Sequence, residues 1–326
     1  MRLDRHIRLG SAMRVALCLV GSFVFATAPV FAQKAASRPL LVEVVKVKGG
    51  AQIADLGPSN FRVTLDRKPA RLLSASRVRL KPRVSILLDV SASMGQAKKW
   101  NAELDLAKGT AEALRSSSNL SFILFSDHLR SLQRITCEDW FKELDSMRQA
   151  AKEFSRGRTA LWDALWFAIG SQGLRAGDAL VAVTDGGEND SKHSYSDVRK
   201  LLQKSGVRLF VLLLPDNLSE DHGPVVRTRL LAEISGGDFL HVGENKGIEY
   251  SEFELSANDK KAIPIFGEYV GGRILQPYLL SLDLPADVTG KLRVAAVDAN
   301  GSPIKDVVTI APLKLPLMAE PELATQ

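Results

Sequence analysis

Cysteine is scarce in this chain: Cys18 and Cys137 are the two present in 326 residues. Cys18 falls in a leader-like segment, so the remainder carries Cys137 alone and can form no internal disulfide. Its stability must come from a packed core. Cys137, beside Ile135 and ahead of the apolar Trp140, Phe141 and Leu144, reads as a small buried hydrophobe rather than a reactive thiol. The common catalytic signatures are missing as well. There is no Gly-x-Ser-x-Gly elbow, no phosphate-binding glycine loop ending in Lys-Ser or Lys-Thr, no His-Glu-x-x-His and no Cys-x-x-Cys. Beyond the leader the histidines are His128, His193, His222 and His241, few candidates for a general base. No Lys/Arg-rich run with interleaved aromatics appears, which argues against a nucleic-acid partner. No internal repeat or low-complexity tract is visible.

What is present begins with Arg2, Arg5, Arg8 and Arg14 ahead of an apolar run, VALCLVGSFVFATAPVFA. This is the pattern of a signal peptide over residues 1–32, cut after Ala32 or, alternatively, after Ala28. An uncleaved anchor is the competing reading, although the run is short against the roughly 20 residues of a spanning helix. Leu17 ahead of Cys18 does not suit a lipid anchor, and no adjacent Arg pair marks a folded-protein export route. The four Arg and one Asp of this segment account for half of the formal net charge of +6, leaving +3. The basic balance thus belongs largely to the leader. The expectation is an exported protein, periplasmic or extracellular, with no stable membrane span after cleavage. A composition of 45% apolar and 25% charged residues is that of an ordinary globular chain.

Residues 40–80 read as strands: LLVEVVKV, a Gly49-Gly50 turn, FRVTL and RLLSASRVRL. From Pro82 apolar strand-like runs alternate with helical periodicity. The runs are VSILLDV, SFILFS with a hairpin partner LRSLQRI, ALVAVTD, VRLFVLLL and DFLHV. Helices are expected over 97–116, 138–150, 160–172, 195–204 and 224–234. Such alternation predicts an α/β fold, a doubly wound and mostly parallel sheet with helices on both faces. In the first long helix Trp100, Leu104, Ala107, Ala111 and Leu114 form the buried stripe, with Lys98, Lys99, Glu103, Lys108 and Glu112 assigned to the other faces. A helical segment over 259–273, interrupted by Pro264 and Gly271-Gly272, follows. Strands LQPYLLSLDL, GKLRVAAVD and DVVTIAPL fill 275–314, before a tail at 315–326. Strand-rich ends flanking one α/β middle over 82–258 suggest a small β sandwich built from both ends.

The chemistry concentrates where the apolar strand Val84–Leu88 ends in Asp89-Val90-Ser91-Ala92-Ser93 and runs into a helix. In open α/β sheets, sites form where strand C-termini meet the following loops. One carboxylate and two hydroxyls on a tight turn suit a hard divalent cation, Mg2+ first, with Mn2+ or Ca2+ as alternatives. Two further segments fall where such a site needs them: Gly157-Arg158-Thr159, leading into a helix, and Val183-Thr184-Asp185-Gly186-Gly187, the turn after a buried strand.

With these three segments in order, residues 84–243 resemble a von Willebrand factor type A domain and its metal ion-dependent adhesion site. The resemblance assigns Asp89, Ser91 and Ser93 to the first motif, Thr159 to the second and Asp185 to the third, with no departure at the five positions. It implies that the hydroxyls approach the ion while the aspartates ligate directly or through water, and that the final helix shifts with such changes. PSNFRVTLDRKPARLLSASR before the domain and YLLSLDL after it resemble bacterial secreted VWFA-related domain proteins. In that family an acidic turn is usual where this chain has Asp66-Arg67-Lys68.

The implied function is non-enzymatic: an ion with few charged ligands takes an Asp or Glu carboxylate of a partner protein to complete its shell. Met94, Gln96, Arg158, Glu188, Asn189, Asp190, Lys192 and His193 are expected beside the metal, either as a partner-contact rim or as a solvated loop. Two alternatives stand. One is a metal-assisted hydrolase built on Asp89, although such enzymes usually place a second acid where Ser91 stands. The other is a structural envelope protein with an unused metal site. Asp216, Glu220 and Asp221 form a weaker calcium candidate; their spacing matches no dedicated loop, and a solvated turn is the favoured reading.

Overall fold

The computed structural model describes residues 37–46, 51–96, 99–115, 119–127, 129–132, 157–214, 223–242, 257–285 and 288–315. The leader, the Gly49-Gly50 turn, Cys137, the helix expected over 138–150, the acidic loop at 216–221 and the tail beyond 315 lie outside these residues. Among the described residues no helix is long and apolar enough to cross a membrane.

Four strands precede the α/β region: β1 (Ser37–Lys46), β2 (Phe61–Leu65), β3 (Lys68–Pro69) and β4 (Leu72–Arg77). Within it lie β5 (Arg83–Asp89), β6 (Asn119–Phe125), β7 (Leu129–Leu132), β8 (Ala179–Thr184), β9 (Arg208–Leu213) and β10 (Asp238–His241). Then come β11 (Tyr278–Asp283), β12 (Leu292–Ala296) and β13 (Val307–Ile310). The helices are α1 (Ala92–Gln96), α2 (Trp100–Leu114), α3 (Leu161–Ser171), α4 (Tyr195–Ser205), α5 (Gly223–Ser235) and α6 (Ala257–Leu275).

The central sheet has the order β10-β9-β8-β5-β6-β7. Its first five strands run parallel, and β7 closes the edge antiparallel to β6. Strand periodicity explains why both faces are apolar. Val84, Ile86 and Leu88 of β5 pack with residues of α2 and α6, whereas Leu87 enters the core of α3, α4 and α5. Ala179, Val181 and Val183 of β8 and Phe210 and Leu212 of β9 face the first core; Leu180, Ala182, Leu209 and Val211 face the second. A parallel sheet covered on both sides requires such unbroken apolar runs.

The strand-rich ends pair with each other. One sheet has the order β13-β1-β11-β4, with Leu40 opposite Leu280, and the other β12-β2-β3, with Val63 opposite Val294. Their inner faces share a third core that includes Leu40, Val42, Phe61, Val63, Tyr278 and Leu280. Asp66 and Arg67, both at positive φ, make the two-residue turn between β2 and β3. Buried charges join this sandwich to the α/β layer: Glu43 of β1 accepts from Arg208 of β9 at 3.0 Å and from Arg273 of α6, which also reaches Asp238.

Two expectations need correction. Helix α6 is not interrupted at Pro264 or at Gly271-Gly272; it runs unbroken from Ala257 to Leu275. Its glycines serve packing: a Cβ on Gly267 would run into the backbone of Gly109 in α2, and one on Gly271 would lie 2.7 Å from Ala113 Cβ. The second correction concerns Lys99 and Glu103, expected on solvent-facing sides of the first helix. Both are buried, at 2% and 0% exposure.

Candidate functional site

Strands β5 and β8 are neighbours, so their C-terminal ends place Asp89 and Asp185 at one edge of the sheet. The turn after β5 is organised by its own carboxylate: Asp89 Oδ1 accepts the Ser91 N–H at 3.0 Å. This bends the chain so that Ser91 Oγ and Ser93 Oγ come within 3.1 Å. The loop before α3 is tied to the same turn, because the Ala92 N–H donates to the Gly157 carbonyl at 3.1 Å. Thr159 and Asp185 flank Gly187: a Cβ built there would lie 3.1 Å from Thr159 Oγ1 and 3.5 Å from Asp185 Oδ1. Three loops thus bring the five sequence-selected residues to one place. Asp89, Ser91, Thr159 and Asp185 are buried, and Ser93 is partly exposed.

The electrostatics of this cluster are unusual. Burial first, and the charge of Asp185 second, push Asp89 up to about 7 from its ordinary 3.8; hydrogen bonds from Thr184 and Ser91 oppose the shift. Glu103 of α2 accepts the Asp89 N–H on Oε1 at 2.6 Å. Burial, followed by the charge of Asp89, holds Glu103 well above the carboxylate range. Its Oε2 has no hydrogen-bond partner among the described residues. Lys99 donates its ammonium to Asp185 Oδ2 at 2.8 Å, with both side chains buried. Sequence reasoning missed Lys99 and Glu103 as members of the site. The signal was there: Lys99, Glu103, Ala107 and Ala111 are spaced by four, so the two charged residues extend the buried stripe toward the site.

Residues 84–242 match the profile of the von Willebrand factor type A domain. The chain carries a type A domain. Domains of this family are in general protein-interaction modules rather than enzymes. Solved structures similar to the chain include BatB, a conserved hypothetical protein from Bacteroides thetaiotaomicron, at 16% identity, 57% of this chain, 96% of that one and a TM-score of 0.37. An aerotolerance-related membrane protein from Bacteroides fragilis is 18% identical over 58% of this chain and 98% of its own, with a TM-score of 0.39. A von Willebrand factor type A protein from Catenulispora acidiphila is 11% identical over 86% and 74%, with a TM-score of 0.43. At such identities and TM-scores these likenesses carry no argument about what this chain does. No curated protein matches it.

The residues expected around the rim of the type A domain divide by role. Met94 is fully buried in the core beneath α2 and offers no surface to a partner, a correction to its place on the rim. The Gln96 side chain lies outside the described residues. Glu188 is occupied: Oε2 accepts the Trp162 N–H at 2.8 Å at the start of α3 and the Ser191 hydroxyl at 2.7 Å. Asn189 Oδ1 accepts the Thr159 N–H at 2.9 Å and so positions that threonine. Arg158, highly exposed, reaches Asp190 at 3.4 Å. His193 Nδ1 lies 2.7 Å from Asp163 Oδ1, its ring stacks on Trp166 at 4.2 Å, and Lys192 beside it is exposed. Accordingly Arg158, Asp190, Lys192, His193 and the exposed Trp166 carry the accessible polar and aromatic surface of this edge.

Proposed function

We propose that this protein is an exported, metal-dependent protein-binding module. Asp89, Ser91, Ser93, Thr159 and Asp185 would hold a divalent cation, Mg2+ first and Mn2+ or Ca2+ as alternatives, that captures an acidic side chain of a partner protein. The observation that carries the reading is the convergence of three loops on a set of hard oxygen donors. Two ligands at right angles on an ion with bonds of about 2.1 Å are about 3.0 Å apart, and the Ser91 and Ser93 hydroxyls are 3.1 Å apart. Burial first, and the charge of Asp185 second, disfavour the charged form of Asp89, and a dication would relieve both. Export rests on the arginine-rich, apolar leader.

When bound, such an ion supplies one open coordination position for an external carboxylate. The chain's own residues do the rest. Thr184 and the Ser91 N–H orient Asp89, and Asn189 orients Thr159. Ser93 is the partly exposed member of the set, and a guest oxygen would enter from its side. With Asp89 and Asp185 as the charged donors and the hydroxyls of Ser91, Ser93 and Thr159 neutral, the set would leave a bound dication positive character to attract an anionic guest.

The decisive experiment measures partner capture from a native envelope fraction in Mg2+ and in EDTA, with Asp89→Ala as the control. Calorimetric titration of Mg2+ and circular dichroism accompany it. The expected result is capture that needs both Mg2+ and Asp89 while the variant stays folded. Capture indifferent to EDTA and to Asp89→Ala overturns the reading. Phosphoester turnover that disappears in Asp89→Ala transfers support to a hydrolase.

A further inference from the structure

The ion pair between Lys99 and Asp185 is not part of the five-residue donor set, yet it occupies one of that set's two carboxylates. The ammonium sits 2.8 Å from Asp185 Oδ2, with the two side chains 3% and 0% exposed. The backbone of Lys99 is held as well: its N–H donates to the Met94 carbonyl at 3.0 Å, and its carbonyl accepts the Glu103 N–H at 3.0 Å. Lys99 is therefore fixed to the end of α1 on one side and to the first turn of α2 on the other. Burying a lysine costs hydration and rotamer freedom, and it persists only against a strong anionic partner. Here that partner is the aspartate at the end of β8.

We infer that Lys99 is a built-in counter-cation that competes with a dication for Asp185 and thereby sets the affinity of the site. The inference rests on the metal reading above. Geometry alone does not forbid sharing, since a carboxylate has about four acceptor positions. Charge does: a monocation and a dication on one buried carboxylate repel where water screens little. Full occupancy by the dication therefore requires the ammonium to leave Asp185. With the ammonium in place, Asp185 is neutralised and the turn stays folded without an ion. Lys99 thus trades metal affinity for stability of the metal-free state.

The test compares wild type with Lys99→Met by calorimetric titration of MgCl2 and MnCl2, and by thermal unfolding in EDTA and in excess Mg2+. The expected result is a dissociation constant about tenfold lower or more in Lys99→Met. Its Tm falls in EDTA, and Mg2+ raises it further than it raises wild type. Equal or weaker ion affinity in a folded Lys99→Met overturns the inference while leaving the metal reading intact. If neither protein binds either ion, the metal reading fails and takes this inference with it. A measurement on wild type serves if Lys99→Met does not fold: acetylation of Lys99 by acetic anhydride, mapped by mass spectrometry with and without Mg2+. Release from Asp185 predicts faster acetylation in Mg2+; an unchanged or slower rate overturns the inference.

Discussion

Thr184 donates its hydroxyl to Asp89 Oδ2 at 2.6 Å, joining the last residues of the neighbouring strands β8 and β5. The same hydroxyl oxygen accepts the Gly186 N–H at 3.0 Å. One buried side chain therefore orients the Asp89 carboxylate and the turn that follows Asp185. Thr184→Val keeps the shape but leaves both partners without their bond, and each buried unsatisfied polar group costs about 1–3 kcal/mol. Denaturant unfolding is expected to show a loss of that order, while Thr184→Ser stays near wild type. Equal midpoints for Val and Ser would mean that the hydroxyl contributes nothing.

The upward shift of Asp89 makes stability depend on pH. Because its folded pKa is about 7 against an ordinary 3.8, the folded chain retains a proton that the unfolded chain releases between those values. The stabilising contribution is complete below the unfolded value and is lost as pH rises through about 7, with a slope of up to about 1.4 kcal/mol per pH unit. In EDTA, the unfolding free energy of wild type relative to Asp89→Asn should decline across that window. Mg2+ affinity should rise over the same range, since ion binding expels the proton. A wild-type minus Asp89→Asn difference that is flat with pH contradicts the shift.

The central strands were legible because their residues face cores on both sides, which leaves unbroken apolar runs such as Ile86-Leu87-Leu88 and Leu180-Val181-Ala182-Val183. The five residues proposed as donors were chosen from strand ends and glycine turns together with the resemblance to type A domains, and the structure sets them at the ends of neighbouring strands and in the adjoining loops. Helix α6 was harder. Pro264 removes a backbone donor and glycines weaken a helix, but α6 lies against α2 with backbone in close approach at Gly267 and Gly109, and tertiary packing outweighs local propensity. Lys99 and Glu103 were misplaced for a related reason. Charge favours the solvent face on average, whereas here Lys99 is buried against the Asp185 carboxylate and Glu103 against the Asp89 backbone N–H. Met94 follows the donor turn directly, yet α1 folds it inward.

Two of the helical glycines, Gly267 and Gly170, should respond to the same substitution with opposite sign. Gly267→Ala places a methyl group into the Gly109 backbone and forces α2 and α6 apart, an overpacking cost of about 1–3 kcal/mol. Gly170 lies near the end of α3 with open space where a Cβ would go. Gly170→Ala should therefore stabilise by about 0.4–1 kcal/mol by restricting the unfolded chain. Parallel thermal unfolding of both variants checks the pair. A stabilised Gly267→Ala would show that the helices do not approach as closely as described.

Glu103 offers the sharpest distinction between a charge and a hydrogen-bond acceptor. Its carboxyl is buried, is pushed well above the carboxylate range by burial and then by the charge of Asp89, and accepts the Asp89 N–H at 2.6 Å. A carboxyl whose charged form is disfavoured by burial contributes through its acceptor oxygen more than through a negative charge. Glu103→Gln retains the acceptor and similar volume, so it should unfold within about 1 kcal/mol of wild type. Glu103→Leu strands a buried backbone N–H beside the donor turn and should lose about 1–3 kcal/mol. If Glu103 instead acted as an anion balancing Lys99, Gln and Leu would be damaging to a similar degree, and the loss in Gln would grow with pH. Unfolding free energies of both variants at neutral and mildly acidic pH separate the two roles, because only the neutral-acceptor role leaves Glu103→Gln close to wild type throughout.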